Sequence, residues 1–148
     1  MEIMVPSTQV QLDQVRSLMR AFVAWHRLRH ATDLVIIDQY FDEKGFEAEL
    51  AGLPGKYTPP LGCLLLAQVD GQPAGCVALR AMDGGVCEMK RMFVDPHFQG
   101  RGVGRGLAEA LIGEARQAGY SAMRLDTGPR QVEAQTLYHS LGFKDIGP

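Results

Sequence analysis

Near residue 100 the chain changes its hydrophobic period, and four glycines alternate through the junction. Val86 to Val94 reads as a strand rich in Met, Phe and Val. From Gly102 to Ala118, Val103, Leu107, Ala110, Leu111 and Ala115 recur at helical spacing, and Gly119 closes the helix. Between them stand Gly100, Gly102, Gly104 and Gly106, with Arg101 and Arg105 interleaved. A helix start leaves N–H groups pointing outward, and the macrodipole adds partial positive charge there. Glycines let an anion approach that backbone, so the junction suits a phosphate or pyrophosphate. A glycine-rich corner without a ligand is the other account of the glycines alone. Two other phosphate loops fail on spacing. A Walker A loop needs Lys followed by Ser or Thr, and Gly104 is followed by Arg105 and Gly106. A dinucleotide fingerprint needs G-x-G-x-x-G, which neither Gly100-x-Gly102 nor Gly102-x-Gly104 completes.

The rest of the chain supplies the elements around this corner. Glu2 to Val5 suits a first strand, stopped by Pro6, and Ser7 or Thr8 can cap a helix. Leu12, Val15, Leu18, Met19, Phe22 and Trp25 then mark one buried helical face. A second helix is expected from about Asp38 to Ala51, and Gly52 to Pro60 reads as a loop. Leu61 to Val69, Ala74 to Met82 and Val86 to Val94 read as consecutive antiparallel strands, turned at Asp70-Gly71 and Asp83-Gly84-Gly85. Met123 to Thr127 is a further short strand, and Val132 to Leu141 a last helix stopped by Gly142. Strand, helix, strand in the second half implies a right-handed crossover with the fourth and fifth strands parallel. The fold class is therefore α+β, a mixed, mostly antiparallel sheet with helices on both faces.

Composition excludes several classes. The 148 residues suffice for one domain with its own core. A net charge of −2 argues against binding nucleic acid through bulk positive charge. Cys63, Cys76 and Cys87 are odd in number, lack a C-x-x-C pair and lie in apolar runs, so they read as core thiols. No signal peptide or membrane-length apolar run is legible, which places the expected location in the cytoplasm with no membrane partner. His26 and His30 stand four apart but lack a third ligand, so no metal is expected.

Two blocks carry a resemblance. Glu88-Met89-Lys90-Arg91-Met92-Phe93-Val94-Asp95-Pro96 followed by Gln99-Gly100-Arg101-Gly102-Val103-Gly104 resembles motif A of the GNAT superfamily of N-acetyltransferases. Leu137-Tyr138-His139-Ser140-Leu141-Gly142-Phe143 is similar to that family's motif B. The resemblance is strong over residues 86 to 143 and looser before them. It implies one N-acetyltransferase domain over residues 1–148, with acetyl-CoA as co-substrate and no metal.

The resemblance also assigns residues. It implies that the backbone from Gln99 through Gly100, Arg101, Gly102 and Val103 to Gly104 holds the pyrophosphate, with Arg105 beside it. It implies that the fourth and fifth strands splay, so that the edge at Met92, Phe93 and Val94 pairs with the pantetheine amides. An N–H near Val94 would then stabilise the thioester oxyanion. Gln131, where many relatives carry Asn, and Ala134 lie beside the cofactor on this reading. Tyr138 matches the residue that protonates the leaving sulfur. Glu88, eleven residues before Gln99, matches a general base of the histone-acetylating branch; a strand-end carboxylate paired with Lys90 or Arg124 is the other account of it.

The acceptor, an amine of a small molecule, peptide or protein, is not written in the sequence. Its pocket is expected between Trp25 and Tyr57, a stretch that holds Tyr40, Phe41, Phe46, Asp33, Asp38, Asp42 and Glu43, although an ordinary amphipathic helix accounts for most of these residues. A non-catalytic acyl-CoA-binding sensor would share motif A, but it has no need of Tyr138 beside the sulfur. The chain ends five residues after Phe143, where the family usually continues into closing strands. Either those strands lie outside this sequence or the sheet edge stays open beside the fifth strand, and an open edge invites pairing with a second subunit as a homodimer.

Overall fold

The computed structural model describes residues 1–29, 43–126 and 132–146. Among these residues five strands form one sheet in the order β1-β2-β3-β4-β5: β1 Glu2–Met4, β2 Cys63–Val69, β3 Gln72–Ala81, β4 Val86–Val94 and β5 Ala122–Arg124. The first four are antiparallel neighbours, and β4 and β5 are parallel. The helices are α1 Gln9–Arg29, α2 Glu43–Ala51, α3 Val103–Gln117 and α4 Val132–Ser140. The expected second helix thus ends where the sequence placed it, while residues 38 to 42 lie outside the described residues. The strand expected at Met123 to Thr127 begins one residue earlier and ends at Arg124.

Thr8 caps α1: Gln11 N–H donates to its Oγ1 at 3.1 Å, and Gln11 Oε1 accepts from Ser7 N–H at 2.8 Å and Thr8 N–H at 3.3 Å. This reciprocal Thr-x-x-Gln box satisfies several N–H groups at once. β2 is apolar on both faces because both are covered. Cys63, Leu65 and Ala67 join a core with Val77, Leu79, Met89 and the α3 residues Val103, Leu107, Ala108, Leu111 and Ala115. Leu64 and Leu66 join a second core with Val15, Leu18 and Met19 of α1 and Leu50 of α2. Ala108 takes a buried place on α3, whereas Ala110 is only half-buried. All three thiols are buried; burial pushes that of Cys63 up to about 11 and that of Cys76 up to about 12. They are protonated core residues. No helix among the described residues is long and apolar enough to cross a membrane.

Two glycines let backbone and helix approach closely. A Cβ on Gly75 would lie 2.8 Å from Phe93 O and 3.0 Å from Leu107 Cδ1, where α3 presses on β3. On Gly62 it would meet Lys56 O at 2.6 Å and Tyr57 Cα at 2.7 Å, all rigid backbone. Gly62→Ala is therefore expected to cost about 2–3 kcal/mol through overpacking, lowering Tm by roughly 5–10 °C. An unchanged thermal melt would contradict that close approach.

Candidate active site

The corner after β4 is built from three devices. Asp95 accepts from His97 N–H at 2.9 Å and opens a short 3-10 turn, Pro96–Phe98. Gly100 and Gly102 then take left-handed backbone, φ 80° and 79°, which few side chains tolerate. Neither glycine has an atom within 4 Å of a would-be Cβ, so space lies open above both. Gly102 is the N-cap of α3, and the helix's first backbone bond runs from Gly106 N–H to Gly102 O at 2.9 Å. The N–H groups of Val103, Gly104 and Arg105 consequently have no intrahelical acceptor. Val103 itself points into the core, and a Cβ on Gly104 would lie 3.4 Å from Val94 Cγ2 and Leu137 Cδ2. Arg101 lies over the Phe98 ring at 5.6 Å and is exposed. Arg105 donates to Ser140 Oγ at 2.6 Å, which ties the start of α3 to the end of α4. Such an N-terminus, open and flanked by two guanidiniums, has the chemistry that would attract an anion.

Beside it, β4 carries a bulge. Ala78 pairs with Lys90 but Cys76 pairs with Phe93, so β4 has one residue more than β3 between these pairs. Arg91 sits there with φ 58°. The bulge reverses which amides face β3. Met82 N–H donates to Val86 O, so alternate residues Val86, Glu88 and Lys90 are the hydrogen-bonded partners below it. Above it Asp95 N–H donates to Ala74 O, so Phe93 and Asp95 face β3. The amides of Met92 and Val94 therefore point the other way. On that side β5 pairs with β4 only from Val86 to Glu88, and β4 runs on to Val94 without it. Among the described residues the result is a splay between two parallel strands, with the Met92 and Val94 amides on an edge that no strand covers, while the Val94 carbonyl accepts from Gln99 Nε2 at 3.5 Å. Phe93 contributes backbone alone, because its ring is buried against Phe22 at 5.5 Å and Trp25 at 6.4 Å.

Tyr138 and Glu88 line one groove along β5, together with Met123, Arg124, Leu125 and Phe143. Tyr138 is 7% exposed and packs edge-on to Phe143 at 5.9 Å. Burial pushes its phenol well above the usual value, so it stays protonated. Its hydroxyl makes no hydrogen bond among the described residues. Glu88 alternates with Cys87 and Met89 and so faces the α1–α2 side. Its Oε1 accepts from Arg80 Nε at 2.5 Å, across the β3–β4 pair, rather than from Lys90 or Arg124. Ala134 packs on the α3-side core, while Gln131 lies outside the described residues.

The expected acceptor stretch is only partly described. Phe46 and Tyr57 are core residues, and Trp25 is half-buried. Asp33, Asp38, Tyr40, Phe41, Asp42 and His30 lie outside the described residues, as do the side chains of His26 and Glu43. Among the described residues no cluster of three His, Cys, Asp or Glu could hold a metal. Sequence reasoning missed Arg80, Glu49 and the left-handed Arg91. Nothing local marks them, because each acquires its role from a partner on another element.

Comparison with known proteins adds a family and a fold. The Acetyltransferase (GNAT) family model matches residues 17–143. An uncharacterized N-acetyltransferase of Schizosaccharomyces pombe is 37% identical over 123 residues, covering 77% of this chain and 76% of that one. The N-acetylaspartate synthetase of Danio rerio is 35% identical over 114 residues, covering 76% of this chain but only 40% of the synthetase. The crystal structure of the PaiA N-acetyltransferase of Thermoplasma acidophilum in complex with coenzyme A superposes with a TM-score of 0.72 at 16% identity. That superposition covers 97% of this chain and 91% of that one, and at this identity it speaks to the fold alone.

Proposed function

Because this chain belongs to the GNAT family of acetyltransferases, we propose that it forms one N-acetyltransferase domain that moves an acetyl group directly from acetyl-CoA to a primary amine. The observation that carries this reading is the open N-terminus of α3 beside the free β4 edge. The pyrophosphate of the co-substrate would bind the N–H groups from Gln99 to Gly104, with Arg101 and Arg105 alongside. Coenzyme A in the Thermoplasma relative's structure supports the choice of ligand. The pantetheine arm would add as a strand to Met92 and Val94, and Gln131 and Ala134 are the further residues we assign to cofactor binding. One outward amide there would donate to the thioester oxygen.

In the reaction the acceptor nitrogen attacks the thioester carbonyl, and the C–S bond breaks as the new C–N bond is completed. The amine must arrive without its extra proton, since an alkylammonium with pKa ~10.4 has no lone pair. Glu88 receives that proton through the oxygen that Arg80 does not engage. Tyr138 gives its proton to the departing thiolate, and the second proton, shed by the nitrogen as it becomes an amide, returns to the Tyr138 phenolate. Glu88→Gln is expected to lower kcat about 100-fold at neutral pH. The loss should shrink as pH rises and more of the amine is already neutral. An equal loss at every pH would assign Glu88 a structural role.

The acceptor class is an amine, and because one relative is named N-acetylaspartate synthetase, aspartate is the first candidate to try. Acetyl-CoA-dependent thiol release across an amine panel tests the reading; no release with any amine, together with intact acetyl-CoA binding, would favour a sensor instead. We also place the protein in the cytoplasm, where its three buried thiols stay reduced. Among the described residues the outer edge of β5 has no strand partner, and a homodimer through that edge is the expected assembly; a monomeric mass in solution would refute it.

A further inference from the structure

The β4 bulge is made at Arg91, a residue poorly suited to it. Among the described residues the other non-glycine at positive φ is Asp70, in the tight Asp70-Gly71 turn where Asp is at ease. Arginine has no comparable local tolerance for φ 58°. Its side chain is nevertheless buried, with 6% exposure, and held as a fork. Arg91 Nε donates to Glu49 Oε2 at 2.8 Å and Nη2 donates to Glu49 Oε1 at 3.1 Å. Lys56 Nζ approaches the same Oε1 at 3.4 Å, and the guanidinium lies 5.5 Å from the Phe46 ring. Burial opposes ionisation of Glu49, but Arg91 and then Lys56 more than offset it and hold the carboxyl below its usual range. Glu49 and Phe46 belong to α2, on the sheet face opposite α3.

We propose that Glu49 is a positioning residue, which clamps Arg91 in the left-handed bulge and thereby keeps the amides of Met92 and Val94 aimed at the open edge. The link is geometric. The extra residue at Arg91 reverses the alternation of β4, so without it Met92 and Val94 would donate to β3. A bidentate carboxylate fixes both the position and the rotation of the guanidinium, which a single contact does not. Helix α2 thus sets the amide geometry of the strand that the proposed function gives to acetyl-CoA, and in its catalytic consequence the inference rests on that function. A displacement of about 1 Å at such a site can lower turnover 100-fold without touching the substrate.

Glu49→Gln separates the outcomes. In the full chain without ligand, residue-resolved hydrogen exchange should show the Phe93 and Asp95 amides exchanging at least tenfold faster. Amides between β2 and β3 should keep their protection. Unchanged exchange at Phe93 and Asp95, or an equal increase throughout the sheet, would overturn the clamp. In turnover, Glu49→Gln should lower kcat by about 10- to 100-fold, a larger change than the weakening of CoA binding that the misaimed Met92 and Val94 amides bring. Adding Arg91→Gly should restore most of that kcat, since glycine holds the positive φ unaided and leaves no unpaired buried charge. Failure of the double variant to recover, with CoA binding intact, also counts against the proposal. Should the wild-type protein bind no acetyl-CoA, the acetyltransferase reading falls, while the exchange measurement still decides the clamp.

Discussion

Gly102→Glu is expected to weaken binding of acetyl-CoA and of CoA by more than about 100-fold while leaving the fold in place. Gly102 caps α3 with φ 79° and ψ 12°, and open space lies where its side chain would be. A non-glycine residue in that conformation costs about 1–2 kcal/mol, which a folded domain of this size tolerates. The larger effect is electrostatic. A carboxylate brought within about 4 Å of a phosphate charge at the surface repels it by several kcal/mol, and 2.7 kcal/mol is already 100-fold. Gly102→Ala separates the two contributions, because it brings the strain without the charge and should lose no more than about tenfold. Calorimetric titration of acetyl-CoA and CoA into the three proteins reads both. Wild-type affinity in Gly102→Glu would place the pyrophosphate elsewhere.

Tyr138→Phe should lower kcat by about 100- to 1000-fold and leave the Kd for acetyl-CoA unchanged. The ring's packing on Phe143 survives the change, as does its place in the α3-side core. The hydroxyl has no hydrogen-bond partner among the described residues, so its loss should move Tm by only a degree or two. What disappears is a proton donor. The departing thiol has a pKa of ~8.5 when free. A phenol whose own pKa burial has raised keeps its proton until the thiolate develops beside it. Pre-steady-state thiol release under saturating amine isolates that step, and normal release in the Phe variant would remove Tyr138 from the acid role.

Much of the frame was legible because it is local. The α1 face from Leu12 to Trp25, the Asp70-Gly71 hairpin and the α3 stripe all repeat within four residues, where periodicity reports burial directly. The glycine corner was legible for the same reason: Gly100 and Gly102 mark positive φ, and the helix behind them fixes where their N–H groups point. Phe93 shows the limit. It stands in the motif run with Met92 and Val94, yet its ring belongs to the α1 core, because strand alternation beyond a bulge depends on the partner strand.

The sequence by itself therefore determined the order of elements, the parallel crossover and the glycine turn at the start of α3, since each follows from neighbours in the chain. Only the tertiary structure decided how β4 presents its edge. The bulge exists as a mismatch in count between β3 and β4, and Arg91 is held there by Glu49, 42 residues away. The same holds for the close approach at Gly62 and for the burial that keeps Tyr138 protonated. Register, ion pairing and depth are sums over distant residues, and they take their values once the chain has packed.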